Sequence, residues 1–491
     1  MSRNFYIIKT LLPGLFTAQI IATIQVYLSN AELYRNLIAI KDAGYLVIPN
    51  QQIMYRLHEF GPAFFGGLFF TLTVGAGLSI LTFVVIWVWN RVFSRNKFVL
   101  MLFLLLLIGC VAEINHRVFC PMVTSYFIVI PAVIFVSALK WMPFKDRQSI
   151  LLHLIPLFLL GLLWTFQMSN NMFYDIRDNF LLSNSLGTRI NNLYYKYTLY
   201  PAQVFKLLSQ KTLKSCNLEY IKEGSYAGLL ERELLKHDYL NIGKDDKVDL
   251  KISEENNILV FENRGKRILQ VSIKDFLSRS AILLKEFSLK SDRHYFFRQF
   301  VLFSLLTGFP IALYIILHAL FSLVLHVFLD LGMSSIFASI LCFLVGAVFL
   351  VPFFLNTDKK FDTKDLAEVL ESERLQERVA ALKIITQKEI EIGNFKAYQK
   401  MSASPHTLER YRLAEALGVS RRSGTYQDLL GFLNDPEPTV VCMAFYALGR
   451  RGDTRAVKEI IKRINSSDHW YKQLYAYMAL RTLGWKQTGS R

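Results

Sequence analysis

Cysteine is scarce in this chain, with five in 491 residues. None forms a CxxC pair, and no Cys/His spacing suits a metal site. Cys110, Cys120 and Cys342 lie in or beside apolar runs, and Cys216 and Cys442 stand alone. All five read as small buried hydrophobes, and a Cys110–Cys120 link across a short hairpin stays open. Catalytic signatures are missing as well. There is no phosphate loop, no GxSxG elbow, no HExxH and no glycine-rich dinucleotide turn. This disfavours a pump subunit with its own nucleotide site. No small-x-small cleavage site follows the first apolar run, so that run does not read as a signal peptide. The net charge of +17 is spread along the chain rather than gathered into a stripe. That argues against nucleic acid and for attraction to anionic lipid headgroups.

What the chain has instead is apolar residue, 53% of the total, in long runs. Residues 1–167 form a membrane body with five apolar spans, about 10–28, 61–90, 98–114, 119–139 and 150–167. Residues 29–60 read as a mixed loop. Gly66, Gly67, Gly75 and Gly77 recur along the second span, where small residues let helices approach closely in lipid. Trp87 and Trp89 sit near its end, as interfacial anchors do. Residues 298–356 hold two more apolar spans.

Residues 168–297 between these groups are polar. The part from Met168 to Lys206 mixes Tyr, Asn and Lys, a composition suited to the bilayer surface. A small α+β domain follows. It has a helix over 226–240 and a β-meander of 248–252, 258–262 and 268–273, turned at Glu254-Glu255-Asn256-Asn257 and Asn263-Arg264-Gly265-Lys266. Short basic loops around Arg3, Lys9, Arg91, Arg95, Lys97, Lys140, Lys145 and Arg147 vote for one cytoplasmic side. Arg293, Arg298, Lys359 and Lys360 flank the last two spans and vote for the opposite arrangement.

The last region, 357–491, alternates helix and turn. A small or apolar residue followed four positions later by an aliphatic one recurs as Ala380/Ile384, Leu413/Leu417, Ala444/Leu448 and Ala479/Leu483. The spacings are 33, 31 and 35 residues, the mark of an α-solenoid. Gly449 reads as an αL helix stop. The segment Leu430–Gly449, LGFLNDPEPTVVCMAFYALG, resembles the HEAT-repeat family. The resemblance implies stacked helical hairpins that bind other proteins, usually inside the cell.

The expected fold is therefore a polytopic α-helical membrane protein with a small α+β extramembrane domain and a C-terminal HEAT-like α-solenoid. The expected location is the cytoplasmic membrane of a bacterium, with the array in the cytoplasm. Trp470, Tyr471, Tyr475 and Trp485 crowd into the last hairpin and are candidates for partner binding, although a terminal cap with large residues explains them too. Glu113, His116, Arg117, Asp175 and Asp178 (with Arg177) are the candidates for chemistry on a lipid-linked phosphate, with Arg as anion clamp and a carboxylate or His as base. Their bland reading is a pair of hydrated interfacial turns. His153, His318 and His326 lie in apolar runs and suit helix–helix hydrogen bonding better than haem ligation. No cofactor, no metal and no nucleic acid is implied. The expected function is a non-catalytic membrane scaffold recruiting a protein partner through its array. The alternative is a membrane enzyme or transporter acting on a lipid or lipid-linked substrate.

Overall fold

The computed structural model describes residues 6–116, 118–142, 148–168, 171–221, 226–243, 247–355 and 362–488. Among the described residues, six helices are long and apolar enough to cross a membrane: Tyr6–Asp42, Phe60–Arg91, Lys97–Asn115, Pro121–Trp141, Tyr295–Leu325 and Gly332–Leu350. The run expected at 150–167 forms the helix Gln148–Gln167. Arg117, Lys145, Arg147, Lys359 and Lys360 lie outside the described residues, as does the side chain of His153.

The first helix corrects the expectation of a loop over 29–60. It continues to Asp42 because Leu33, Leu37 and Ile40 keep the helical period, with Leu37 and Ile40 buried. The helix thus extends past its apolar part by about 20 Å, at roughly 1.5 Å per residue.

Small and polar residues lock the helical bundle. Gln19 donates to the Phe64 carbonyl (2.9 Å) and accepts from the Thr71 hydroxyl (2.7 Å), joining the first and second helices. A π-turn at Thr71–Gly75 faces a second at Ser304–Gly308. There a Cβ on Gly308 would sit 2.8 Å from the Gly77 Cα, so both positions need glycine for close approach. His318 Nε2 lies 3.2 Å from the Ser335 carbonyl, a bridge between two apolar helices. Cys110 and Cys120 are free thiols.

The α+β domain carries a five-stranded sheet in the order β2-β1-β3-β4-β5. The strands are β1 Lys214–Tyr220, β2 Tyr239–Asn241, β3 Leu250–Glu255, β4 Ile258–Asn263 and β5 Lys266–Ser272. The meander β3-β4-β5 matches the alternation in the sequence. Both of its turns are two-residue loops with positive φ, at Asn256-Asn257 (51° and 63°) and Arg264-Gly265 (51° and 76°). β1 and β2 pair in parallel and were not anticipated. β2 is only three residues long, too short to alternate, and takes the end of the helix expected over 226–240.

The C-terminal array stacks four hairpins. Its second helices are Leu375–Gln387, Thr407–Leu417, Pro438–Arg451 and Trp470–Thr482, packed in sequence. Burial corrects the repeat register. The equivalent buried pairs are Ala381/Ile385, Leu413/Leu417, Ala444/Leu448 and Ala476/Leu480. The spacings become 32, 31 and 32 residues. Ala380 sits beside the buried Ala381, and Ala479, itself buried, stands three residues past Ala476 on the same helix. Gly449 is also corrected. It lies inside its helix, where a Cβ would meet the Ala479 Cα at 3.1 Å, and Gly452 (φ 75°) is the αL stop. Gly418 meets Ala447 in the same way one unit earlier.

A polar ladder runs beside this core. Arg378 donates to Glu409 of the next unit (2.5 Å) and to the Ser372 carbonyl (2.7 Å). Arg410 repeats the pattern with Asp435 (2.7 Å) and the Ser404 carbonyl (2.6 Å).

Candidate protein-docking interface

The candidate aromatics belong to the last helix of the array, Trp470–Thr482. His469 caps it, accepting from the Tyr471 backbone N–H at Nδ1 (3.3 Å). Burial pushes the His469 imidazole down to about 4, so it is neutral at pH 7 and suits an acceptor role.

These aromatics meet the chain itself. Residues 185–197 form a helix lying against the array's second helices. The Tyr195 ring stacks on Tyr471 with centroids 4.1 Å apart, and the Trp470 indole donates to the Tyr195 carbonyl (2.7 Å). Trp470 is only 7% exposed. The Tyr471 hydroxyl lies 3.5 Å from that of Tyr475, and Trp485 packs edge-on against Tyr477. Asn191 donates to Thr439 (2.7 Å), and Asn192 to Glu437 (2.8 Å). The patch expected to be open to a partner is in this fold an internal joint. Pattern reading could not see this, because the residues that fill it lie 275 positions away.

A second joint centres on Asp178, buried at the edge of the π-turn Arg177–Leu181. Its carboxylate bonds to Arg412, to Lys383 (3.2 Å) and to Arg177 (3.0 Å). Arg177 also donates to the Tyr411 hydroxyl (2.7 Å) and lies over its ring. Burial alone would raise the Asp178 carboxyl. Arg412, Arg177 and Lys383 outweigh it and hold the group below the ordinary carboxylate value. Asp178 is thus committed to a structural cluster. Glu113 and His116 are exposed near the end of the helix Lys97–Asn115, and Asp175 lies in the short helix Met172–Ile176.

Two more regions hold the last hairpin. After the first apolar helix, the Leu46 N–H donates to Gln487 (3.0 Å), and Asn50 bonds to Gln473 (2.7 Å) and to the Ser467 carbonyl (3.0 Å). From the α+β domain, Asp238 accepts from the Tyr477 hydroxyl (2.6 Å) and pairs with Arg481 (3.1 Å). No sequence signal marked Asn50, Gln473 or Asp238, since each finds its partner hundreds of residues away or through a loop.

The helix of residues 185–197 has a second face. Gly187, Thr188 and Asn191 are buried, while Leu186, Ile190, Leu193 and Tyr194 are exposed in a helical stripe. Such a stripe is what a helix lying on a bilayer surface presents. The first helices of the array, Ser423–Gly431 and Ala456–Ser466, turn Gln427, Lys458 and Lys462 to solvent.

The HEAT repeats family matches residues 396–481. The array is of this type, and the match spans its last three hairpins. No curated protein and no solved structure matches the chain.

Proposed function

We propose that this protein is a non-catalytic integral membrane scaffold. In this reading the apolar bundle anchors the HEAT array at the membrane surface, and the first-helix layer of the array receives a protein partner. The observation that carries it is the division of the array into two faces. The second-helix layer is bolted to the chain's own residues at Asp178, Asn191 and Tyr195. The first-helix layer keeps Gln427, Lys458 and Lys462 in solvent. HEAT repeats generally serve protein binding, which supports the same reading. The alternative, a membrane enzyme or transporter using Glu113, His116, Arg117, Asp175 and Asp178, is the weaker one, because Asp178 is held in an ion-pair cluster with Arg412 and Lys383.

We infer further that the array lies on the side opposite the basic loops. The region after the first helix, the α+β domain and the array all contact one another, so they share one side of the bundle. Lys9 lies over Trp141 at the other end. Among the described basic loop residues, Lys140 also lies over Trp141 there, and Arg91, Arg95 and Lys97 join the second and third apolar helices. Seven crossings satisfy this arrangement, and the cations flanking the long soluble regions count for little in orientation. It reverses the expected cytoplasmic array, which rested on what the HEAT resemblance implies.

The test uses photo-crosslinking residues placed in cells at Gln427, Lys458 and Lys462, and at Tyr195 as internal control. The expected result is a discrete adduct to another protein from the first three and none from Tyr195. Absence of any adduct from the three solvent positions overturns the scaffold reading.

A further inference from the structure

A cavity of about 650 Å³ lies where the apolar bundle meets the α+β domain and the array. Its walls come from the end of the first helix, the turn before Pro121, the strand β1 approach and residues 288–294, with Trp470 of the array at one edge. Six cationic side chains line it against three carboxylates.

The carboxylates are already engaged. Glu32 pairs with Arg264 (2.5 Å), Asp249 with Lys211 (2.7 Å), and Asp292 with Arg298, which is not part of the lining. Arg293 and Lys206 line the same cavity, and neither lies within salt-bridge distance of a described carboxylate, Glu32 being the nearest one felt by Arg293. Both are partly buried. Burial lowers the pKa of the Arg293 guanidinium, and Arg264 nearby adds to the effect. Burial and Lys211 lower that of Lys206. Both cations are half-withdrawn from water, and the Glu32 carboxylate, already shared with Arg264, offsets only part of the penalty at Arg293, so an anion in the cavity would stabilise both.

The rim has the opposite character. Leu28 of the first helix and Phe119 before the fourth also line the cavity and are 53% and 68% exposed, so they reach its outer edge. They sit where apolar helices give way to the polar headpiece. A ligand that meets cations inside and hydrocarbon at the rim is an anionic amphiphile.

We propose that this cavity binds the phosphate group of an anionic ligand, with the phosphate against Arg293 and Lys206 and any acyl chains leaving over Leu28 and Phe119. The chemistry is recognition, with no bond made or broken. It uses none of Glu113, Asp175 or Asp178, and it stands whether or not the array has a protein partner.

The test uses the full-length protein in neutral detergent with a fluorescent acyl-labelled phosphatidic acid, read by polarisation. Saturable binding is expected, displaced by unlabelled phosphatidic acid. Diacylglycerol, which has the chains without the phosphate, should compete at least about tenfold more weakly, given the worth of charge-assisted hydrogen bonds. The double variant Arg293→Gln with Lys206→Gln should lose about tenfold or more in affinity on the same ground. Neither residue has an ion pair to lose, and an unchanged melting curve checks folding. If the double variant does not fold, Lys206→Gln alone should weaken binding by about threefold. Inorganic phosphate separates the two sources. Displacement at concentrations comparable to the lipid assigns the site to a soluble phosphate. Displacement only at large excess assigns it to a lipid headgroup. Equal competition by diacylglycerol, or unchanged affinity in the folded variants, overturns the proposal.

Discussion

Leu448 in the array and Leu104 in the apolar bundle look alike in the sequence, each a leucine inside a strongly apolar helix. In the fold Leu448 is fully buried and Leu104 is 51% exposed. In the array apolar residues fall in stripes, and the stripe predicts burial. The helix Lys97–Asn115 is apolar all round, and only 6% of its most apolar window is buried. There hydropathy marks the environment and says nothing about which face packs. In the bundle the packing faces are marked by small and polar residues, such as Gly77 against Gly308 and Gln19 against Thr71. Two codes for burial therefore operate in one chain.

The largest test of this contrast lies in the array. Leu448→Ala should cost about 2–5 kcal/mol, as for a buried leucine in a packed core. It is read as a fall in the array's unfolding temperature in detergent.

The junction of the two regions comes next. Asp178→Asn removes one of the two carboxylates paired with buried Arg412, the other being Glu415, and the partner of half-buried Lys383, and should cost up to about 3 kcal/mol. Hydrogen exchange at residues 407–417 would report it as lost protection, and unchanged protection would show that the joint bears little of the docking. Gly77→Ala places a methyl against Ser304 and should cost about 1–3 kcal/mol by overpacking, seen as a lower yield of folded bundle. Leu104→Ala, outwardly the same change as Leu448→Ala, should shift stability by less than about 0.5 kcal/mol. Equal losses at Leu104 and Leu448 would break the comparison.

Acid gives the gentlest probe of the same junction. The Asp178 carboxyl has a folded pKa below its unfolded value. Its contribution is therefore complete above the ordinary carboxylate pKa near ~4 and is lost as pH falls through the lower folded value. Exchange protection at residues 407–417 should hold from pH 7 to about 4 and fall below that, whereas the Asp178→Asn variant should show a smaller step, left by Glu409 and Glu415.

Membrane sidedness needs a suitable reporter. Cys442 and Cys216 are both buried, so neither reports it by thiol labelling in the folded protein. A cysteine introduced at Lys458, which is exposed, would label with an impermeant reagent in intact cells if the array lies outside the cytoplasm. Protection until lysis would overturn that orientation.

Much of this architecture was legible from residues alone. Long apolar runs need no partner to be recognised, because the cost of exposing them to water is local. The meander turns were legible because two-residue loops need residues that accept positive φ. The HEAT period was legible because each hairpin must bury the same stripe on the next. Tertiary structure alone decided what those elements meet. It turned Trp470 and Tyr471 inward onto Tyr195 and drew Asp178 out of a supposed catalytic set into a grip on Arg412. It also gathered Lys206, Arg264 and Arg293 around one cavity. Each of these depends on contacts between residues far apart in the chain, and side-chain type and local periodicity hold no record of distance in space.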